Sequence, residues 1–339
     1  KAAMQLISEA DVVLALGTRL NPFSTLPGYG MEYWPAEAAI IQVDINPDRI
    51  GLTKAVTVGI VGDAKKVAQG ILARLTPNAG DTNREERKAS IAKKKADWAA
   101  ELATLVHEDD DPGTTWNERA RDREPEKMSP RQMWTAIKAA TPENAILSSD
   151  IGNNCAIGNA FPTFEEGRKY LAPGLFGPCG YGFPAICGAK VAQPDVPVIG
   201  MAGDGAFGIS MNEMVSCGRD SWPAVTMLVC RNYQWGAEKR NTTLWYSDNF
   251  VGTELDQNVS YAAIAEACGV KGVQATSMDD LTAKLKEAVR AQMEDGVTTF
   301  IEILVNQELG EPFRRDAMKA PVQVAGINAA DMRPQAGAK

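Results

Sequence analysis

The sequence predicts an α/β protein made of two doubly wound parallel-sheet domains. Three observations predict it. Short, continuous apolar runs end in glycine, aspartate or asparagine, the pattern of parallel strands buried on both faces. They alternate with helical segments, as in layered α/β folds. They also fall into two groups, separated by a charged stretch that proline and glycine interrupt.

The first group holds strands at 11–17 (DVVLALG), 39–45 (AIIQVDI) and 56–61 (VTVGIV). An amphipathic helix opens the chain at 2–10, and another is predicted from Ala64 to Leu75. The chain starts at Lys1, inside that first helix, and a sheet strand follows with nothing before it to build the other half of the sheet. A truncation at the amino end is therefore expected. Residues 1–76 are expected to form the first, partial domain.

Residues 77–128 read as a charged helical linker. Pro77-Asn78-Ala79-Gly80 breaks the chain, a helix is predicted from Arg84 to about Val106, and Asp109 to Gly113 breaks it again. The EER and KKK clusters suit a solvated helix face better than a binding patch.

The second domain is expected over 129–310, with a tail at 311–339. Ser129 and Pro130 start a helix, serine as N-cap and proline at the first helical position. Strands are predicted at 145–150, 196–203, 224–230 and 298–305, and further helices near 208–219, 259–268 and 279–294.

Composition excludes several function classes. The 339 residues carry 43 acidic and 35 basic side chains, a net charge of -8, which disfavours a nucleic-acid partner. No apolar run approaches the roughly 18 residues that span a bilayer, and no secretory signal is read. The six cysteines at 155, 179, 187, 217, 230 and 268 form no CxxC pair, and His107 is the sole histidine. A Cys/His zinc site is disfavoured, and reduced thiols in a cytoplasmic protein are expected.

The chemistry concentrates where the strand VPVIGMAG runs into Gly203-Asp204-Gly205-Ala206-Phe207. A carboxylate at the carboxyl end of a parallel strand, between glycines and before a helix, lies where open α/β sheets bind ligands. The glycines let backbone N–H groups approach an anion, and the helix dipole favours it. Such a glycine pair also serves plain turns. Asn232 ends the next strand, 232 − 204 = 28 positions on, the span of one helix and one strand. Neighbouring strands would bring Asp204 and Asn232 to one sheet edge, as hard oxygen ligands suited to Mg²⁺ and phosphate.

These residues resemble the binding motif of thiamine diphosphate enzymes, in particular the acetolactate synthase-like group. The resemblance implies thiamine diphosphate and Mg²⁺ as cofactors, the metal held by Asp204, Asn232 and the backbone carbonyl of Gln234. It implies cofactor contacts from Gly203, Asp204, Gly205, Ala206, Phe207 and Asn232. Arg231 stands where the family usually has the first of two asparagines; the ligand is the second, so the set is expected to be intact. Gly177 to Ala185 (GPCGYGFPA) resembles the family's GxMGYGLPA, which implies Cys179 as the residue wedged between the cofactor rings; a glycine turn before a core helix is the other reading. Asp150, Ile151, Gly152, Asn153 and Asn154 resemble the loop that holds the diphosphate, with Ile151 to Asn154 as the contacts, and the two asparagines also suit a simple turn. ADVVLALGTRLN, QVDINPDRIG and VGDAKK in residues 1–76 resemble the family's central domain, with no sign of FAD.

Residues 232–246, 311–319 and 324–335 resemble a branch whose substrates are a small sulfonate and inorganic phosphate, and the first two stretches replace what acetolactate synthases have there. Anions of this kind need cations, and Lys239, Arg240, Arg314 and Arg315 are the candidates; each also suits an exposed surface. The family's cofactor-activating glutamate lies on a separate amino-terminal domain that these residues lack, and its sites form between subunits. A homodimer or homotetramer is expected, and the 339 residues alone are expected to be inactive. Two alternatives remain: a synthase or decarboxylase acting on 2-oxoacids, and a noncatalytic relative.

Overall fold

The computed structural model describes residues 1–25, 27–76, 83–105, 124, 126–174 and 176–309. They divide into two compact units, one within Lys1–Glu101 and one from Leu102 onward.

The first unit is a three-stranded parallel sheet of β1 (Val12–Leu16), β2 (Ala39–Asp44) and β3 (Val58–Val61), in that order. Register places Leu14, Ile41 and Val58 side by side. Helices α1 (Ala2–Ser8), α2 (Ala64–Leu72) and α3 (Arg84–Thr104) complete the described elements. α2 starts at Asp63, whose carboxylate accepts the Lys66 N–H at 2.9 Å, an N-cap that satisfies one otherwise unpaired donor. The charged clusters of α3 form surface ion pairs, Lys88 with Glu85 and Lys93 with Asp97. They are a solvated face, each pair contributing about 0.3–0.5 kcal/mol.

The second unit is a six-stranded parallel sheet: β4 (Ile146–Ser149), β5 (Tyr170–Leu171), β6 (Val198–Gly203), β7 (Thr226–Arg231), β8 (Lys271–Ala275) and β9 (Thr299–Leu304). Its order is β5-β4-β6-β7-β9-β8. The chain leaves β4 toward β5 and returns to β6 on the other side of β4, so the topological switch lies between β4 and β6. The two strands that the sequence did not predict, β5 and β8, are the sheet edges. β5 has two residues and β8 is half exposed, so neither produces an apolar run.

Helices α4 (Pro130–Ala140), α5 (Asn153–Gly158), α6 (Gly182–Ala192), α7 (Asp204–Ser210), α8 (Met214–Cys217), α9 (Gly236–Trp245), α10 (Tyr261–Ala267) and α11 (Met278–Arg290) connect the strands. α4 begins in a full capping box: Ser129 Oγ accepts the Gln132 N–H, and Gln132 Oε1 accepts the Ser129 N–H. The helix predicted near 208–219 instead starts at Asp204 and is split by a turn at Met211–Glu213. The early start matters, because it sets Asp204 in the first turn of α7. Phe183, Phe207, Phe300 and Tyr261 pack edge-on and tilted at centroid distances of 5.2–5.8 Å, tying α6, α7, β9 and α10 into one core.

Candidate cofactor site at the carboxyl ends of three strands

The carboxyl ends of β4, β6 and β7 open onto one cleft, beside the topological switch where ligands bind in such sheets. Ile151, Gly152, Asn153 and Asn154 line it after β4, Gly203 to Ala206 after β6, and Asn232 and Gln234 after β7. The structure thus brings these sequence-predicted residues together. Cys179 and Phe207 are not among the lining residues. Phe207 turns into the aromatic core, so its place in the site is to anchor α7. Cys179 is half-buried in the 177–181 loop, and burial pushes its thiol up, helped by the charges of Asp150 and Glu238.

Asp204 is the electrostatic centre. Its Oδ2 accepts the N–H groups of Asn232 at 3.1 Å and Tyr233 at 2.7 Å, and its Oδ1 accepts that of Gly205 at 2.9 Å. Burial pushes the carboxyl up to about 7, against the pull of those N–H groups. A cation beside it would reverse that burial cost. Among the described residues no cluster of three or more His, Cys, Asp or Glu can hold a metal. The cleft is lined instead by Asp204, Asn232 and Gln234, which carry carboxylate, amide and carbonyl oxygens. Such a set suits Mg²⁺ that is shared with phosphate oxygens.

The opposite wall fits an oxygen-rich anion. Asn153 opens α5 and is 95 % buried, yet neither its Nδ2 nor its Oδ1 has a hydrogen-bond partner. Oδ1 of Asn154 is also unpartnered, while its Nδ2 donates to Cys230 Sγ at 2.8 Å. Buried amides without partners cost about 1–3 kcal/mol each, and a bound ligand that satisfies them removes that cost. Gly152, at φ 139°, sets the entry to α5.

Asp150 heads the loop that the sequence singled out, but its own role was not foreseen. Its carboxylate accepts the N–H groups of Ile151, Gly180 and Gly182 at 2.7, 3.0 and 2.6 Å, pinning the 177–182 loop to the end of β4. Burial pushes this carboxyl up, and the same N–H groups draw it down. Cys155, Trp235 and Gly236 also line the cleft. Gly205 had a legible reason: a Cβ there would lie 2.9 Å from the Trp235 ring.

The candidate cations separate. Lys239 is fully buried, donating to Gln234 Oε1 at 2.9 Å and paired with Glu254. Arg240, the next residue of α9, is buried as well. Arg314 and Arg315 lie outside the described residues. Arg231 takes its guanidinium away from the cleft, to Glu302 at 2.7 Å and the Gln257 carbonyl at 2.6 Å. That explains how an arginine occupies this position without disturbing Asn232.

Comparison with known proteins places the chain in a family. Residues 150–303 match the thiamine pyrophosphate enzyme C-terminal TPP binding domain, and residues 1–71 match the thiamine pyrophosphate enzyme central domain. The chain belongs to the thiamine pyrophosphate enzymes. Sulfoacetaldehyde acetyltransferase of Roseovarius nubinhibens is 70% identical over 335 residues, covering 99% of this chain and 55% of that protein. The sulfoacetaldehyde acetyltransferase of Rhodobacter capsulatus is also 70% identical, covering 99% of this chain and 57% of its own. A probable acetolactate synthase large subunit of Methanocaldococcus jannaschii is 29% identical over 300 residues, 85% of this chain and 46% of that protein. The chain thus spans about half the length of these relatives. A solved structure, the Rhodococcus jostii RHA1 thiamine diphosphate-dependent 4-hydroxybenzoylformate decarboxylase, superposes with a TM-score of 0.64 at 19% identity. It covers 91% of this chain and 51% of its own, and it speaks for the fold alone.

Proposed function

We propose that this chain is part of a sulfoacetaldehyde acetyltransferase, converting sulfoacetaldehyde and phosphate to acetyl phosphate and sulfite with thiamine diphosphate and Mg²⁺. The observation that carries this reading is the identity gap: 70% to sulfoacetaldehyde acetyltransferases against 29% to an acetolactate synthase subunit. The first figure extends over nearly every residue of the chain.

In this reading Asp204, Asn232 and the Gln234 carbonyl hold Mg²⁺. Ile151, Gly152, Asn153 and Asn154 take the diphosphate from one side, and Gly203, Gly205 and Ala206 take it from the other. Phe207 supports the wall from the core, and Cys179 meets the ring end of the cofactor. When bound, thiamine diphosphate supplies a nucleophilic carbon and an electron sink. The protein binds and orients it, and keeps the metal carboxylate out of water. Arg240, Arg314 and Arg315 remain candidates for the sulfonate and phosphate. The enzyme acts in the cytoplasm, in sulfonate breakdown, as a homodimer or homotetramer.

The test uses the protein at the full length of its relatives, supplied with thiamine diphosphate, Mg²⁺ and sulfoacetaldehyde. Sulfite release that requires phosphate and matches acetyl phosphate is expected. Turnover of pyruvate with no sulfite would move the protein to the acetolactate synthase-like reading.

A further inference from the structure

Four side chains close a ring around the turn that follows β7. Lys239 Nζ donates to Gln234 Oε1 at 2.9 Å, and Gln234 Nε2 donates to the Gln307 carbonyl at 2.8 Å. Gln307 Nε2 donates to the Asn232 carbonyl at 3.1 Å and to Glu254 Oε2 at 3.2 Å. The ion pair of Glu254 with Lys239 completes the circuit. Backbone bonds run beside it: the Trp235 N–H donates to the Thr253 carbonyl and the Leu255 N–H to the Tyr233 carbonyl, both at 2.8 Å.

What the ring encloses needs holding. Tyr233 has φ 58°, a left-handed conformation that costs a non-glycine residue and persists only where its surroundings over-determine it. In the same turn the N–H groups of Asn232 and Tyr233 both donate to one oxygen of Asp204. Both polar ends of the Gln234 side chain are engaged, one by Lys239 and one by Gln307, which fixes a residue that lines the cleft.

We propose that Lys239 is a positioning residue for the metal-binding turn, acting through Gln234 and Glu254, and not a ligand for a substrate anion. The inference rests on the cofactor reading above. With no exposed surface, its ammonium reaches an incoming anion only by leaving Glu254 and Gln234. A buried charge stripped of its partner is strongly unfavourable. The Phe250 ring, 5.2 Å from Nζ, encloses it further.

The test follows thiamine diphosphate binding against Mg²⁺ concentration in the protein at the full length of its relatives, by quenching of tryptophan fluorescence. Trp235 lies on Gly205 in the cleft and reports there. Lys239→Met and Glu254→Gln are each expected to raise the half-saturating Mg²⁺ about tenfold, and the double variant no further, because the two act as one unit. At saturating Mg²⁺ and cofactor, the KM for phosphate and for sulfoacetaldehyde is expected to stay unchanged. An unmoved Mg²⁺ curve with a raised KM for either anion would overturn the proposal and make Lys239 a substrate ligand. Additive shifts would also overturn it. If Lys239→Met does not fold, Glu254→Gln decides alone, and an unshifted curve sinks the idea. Unmutated protein that binds no cofactor at any Mg²⁺ would instead refute the cofactor reading on which it rests.

Discussion

Asn153 spends its burial on nothing inside the chain. Both ends of its amide lack partners, so Asn153→Ala removes an unsatisfied group and not a bond. The melting temperature without cofactor is expected to hold or rise. Thiamine diphosphate affinity is expected to fall roughly 10–100-fold, since hydrogen bonds to charged groups contribute about 1.5–3 kcal/mol. A melting temperature that drops with affinity unchanged would make Asn153 a structural residue. Residues like Asp204 and Asn232 were legible because their spacing follows from one helix and one strand. Asp150 was not, since its three N–H partners come from loop residues whose approach no local pattern announces.

Strands β7 and β9 are joined by more than their ladder. The buried Arg231–Glu302 pair sits at the end of β7, and Ser260 Oγ and Gln274 Nε2 add bonds to Glu302 at 2.9 and 3.0 Å. Burial pushes the Glu302 carboxyl up, but bonds from Gln274, Ser260 and the Ala262 N–H, with the Arg231 charge, outweigh it. The net shift is downward. A carboxylate with a depressed folded value stabilises the protein above its ordinary 4.5 and loses that contribution as pH falls through the folded value. Glu302→Gln is expected to cost about 3 kcal/mol at pH 7, because Arg231 is left buried without its charge partner. Its urea midpoint is also expected to fall less steeply than the parent's on acidification from pH 6 to 3. Parallel acid limbs for the two proteins would show that Glu302 does not carry this dependence. Strands buried on both faces could be read from the sequence as apolar runs. The split of the helix after Asp204 could not, because the turn at Met211–Glu213 reflects packing on the second unit's core and not local propensity.

At the scale of the molecule, the two units differ in how far they are covered. Val12, Leu14 and Leu16 of β1 are 57%, 44% and 39% exposed, and Val58 of β3, on the same face, is 46% exposed. Parallel sheets are normally covered on both faces, and contiguous apolar surface of this kind binds hydrophobic dyes. The 339-residue chain is therefore expected to enhance 1-anilinonaphthalene-8-sulfonate fluorescence, and Leu14→Lys to reduce it without lowering the melting temperature. No enhancement, or no loss in the variant, would show that this face is covered in solution. Among the described residues no helix is long and apolar enough to cross a membrane.

By itself, the sequence marked the two α/β units, the runs of most strands and the candidate cofactor residues at the ends of three of them. Apolar runs and glycine-flanked carboxylates are local patterns, and strand spacing converts them directly into a shared sheet edge. Only the tertiary structure decided which charges are already paired. Lys239 and Arg231 look alike as cations on either side of the Asn232 turn, yet each is spoken for by a distant carboxylate, Glu254 in one case and Glu302 in the other. Partnership between residues 15 and 71 positions apart is a matter of three-dimensional packing, where the need to pair a buried charge outweighs anything its neighbours in sequence can signal.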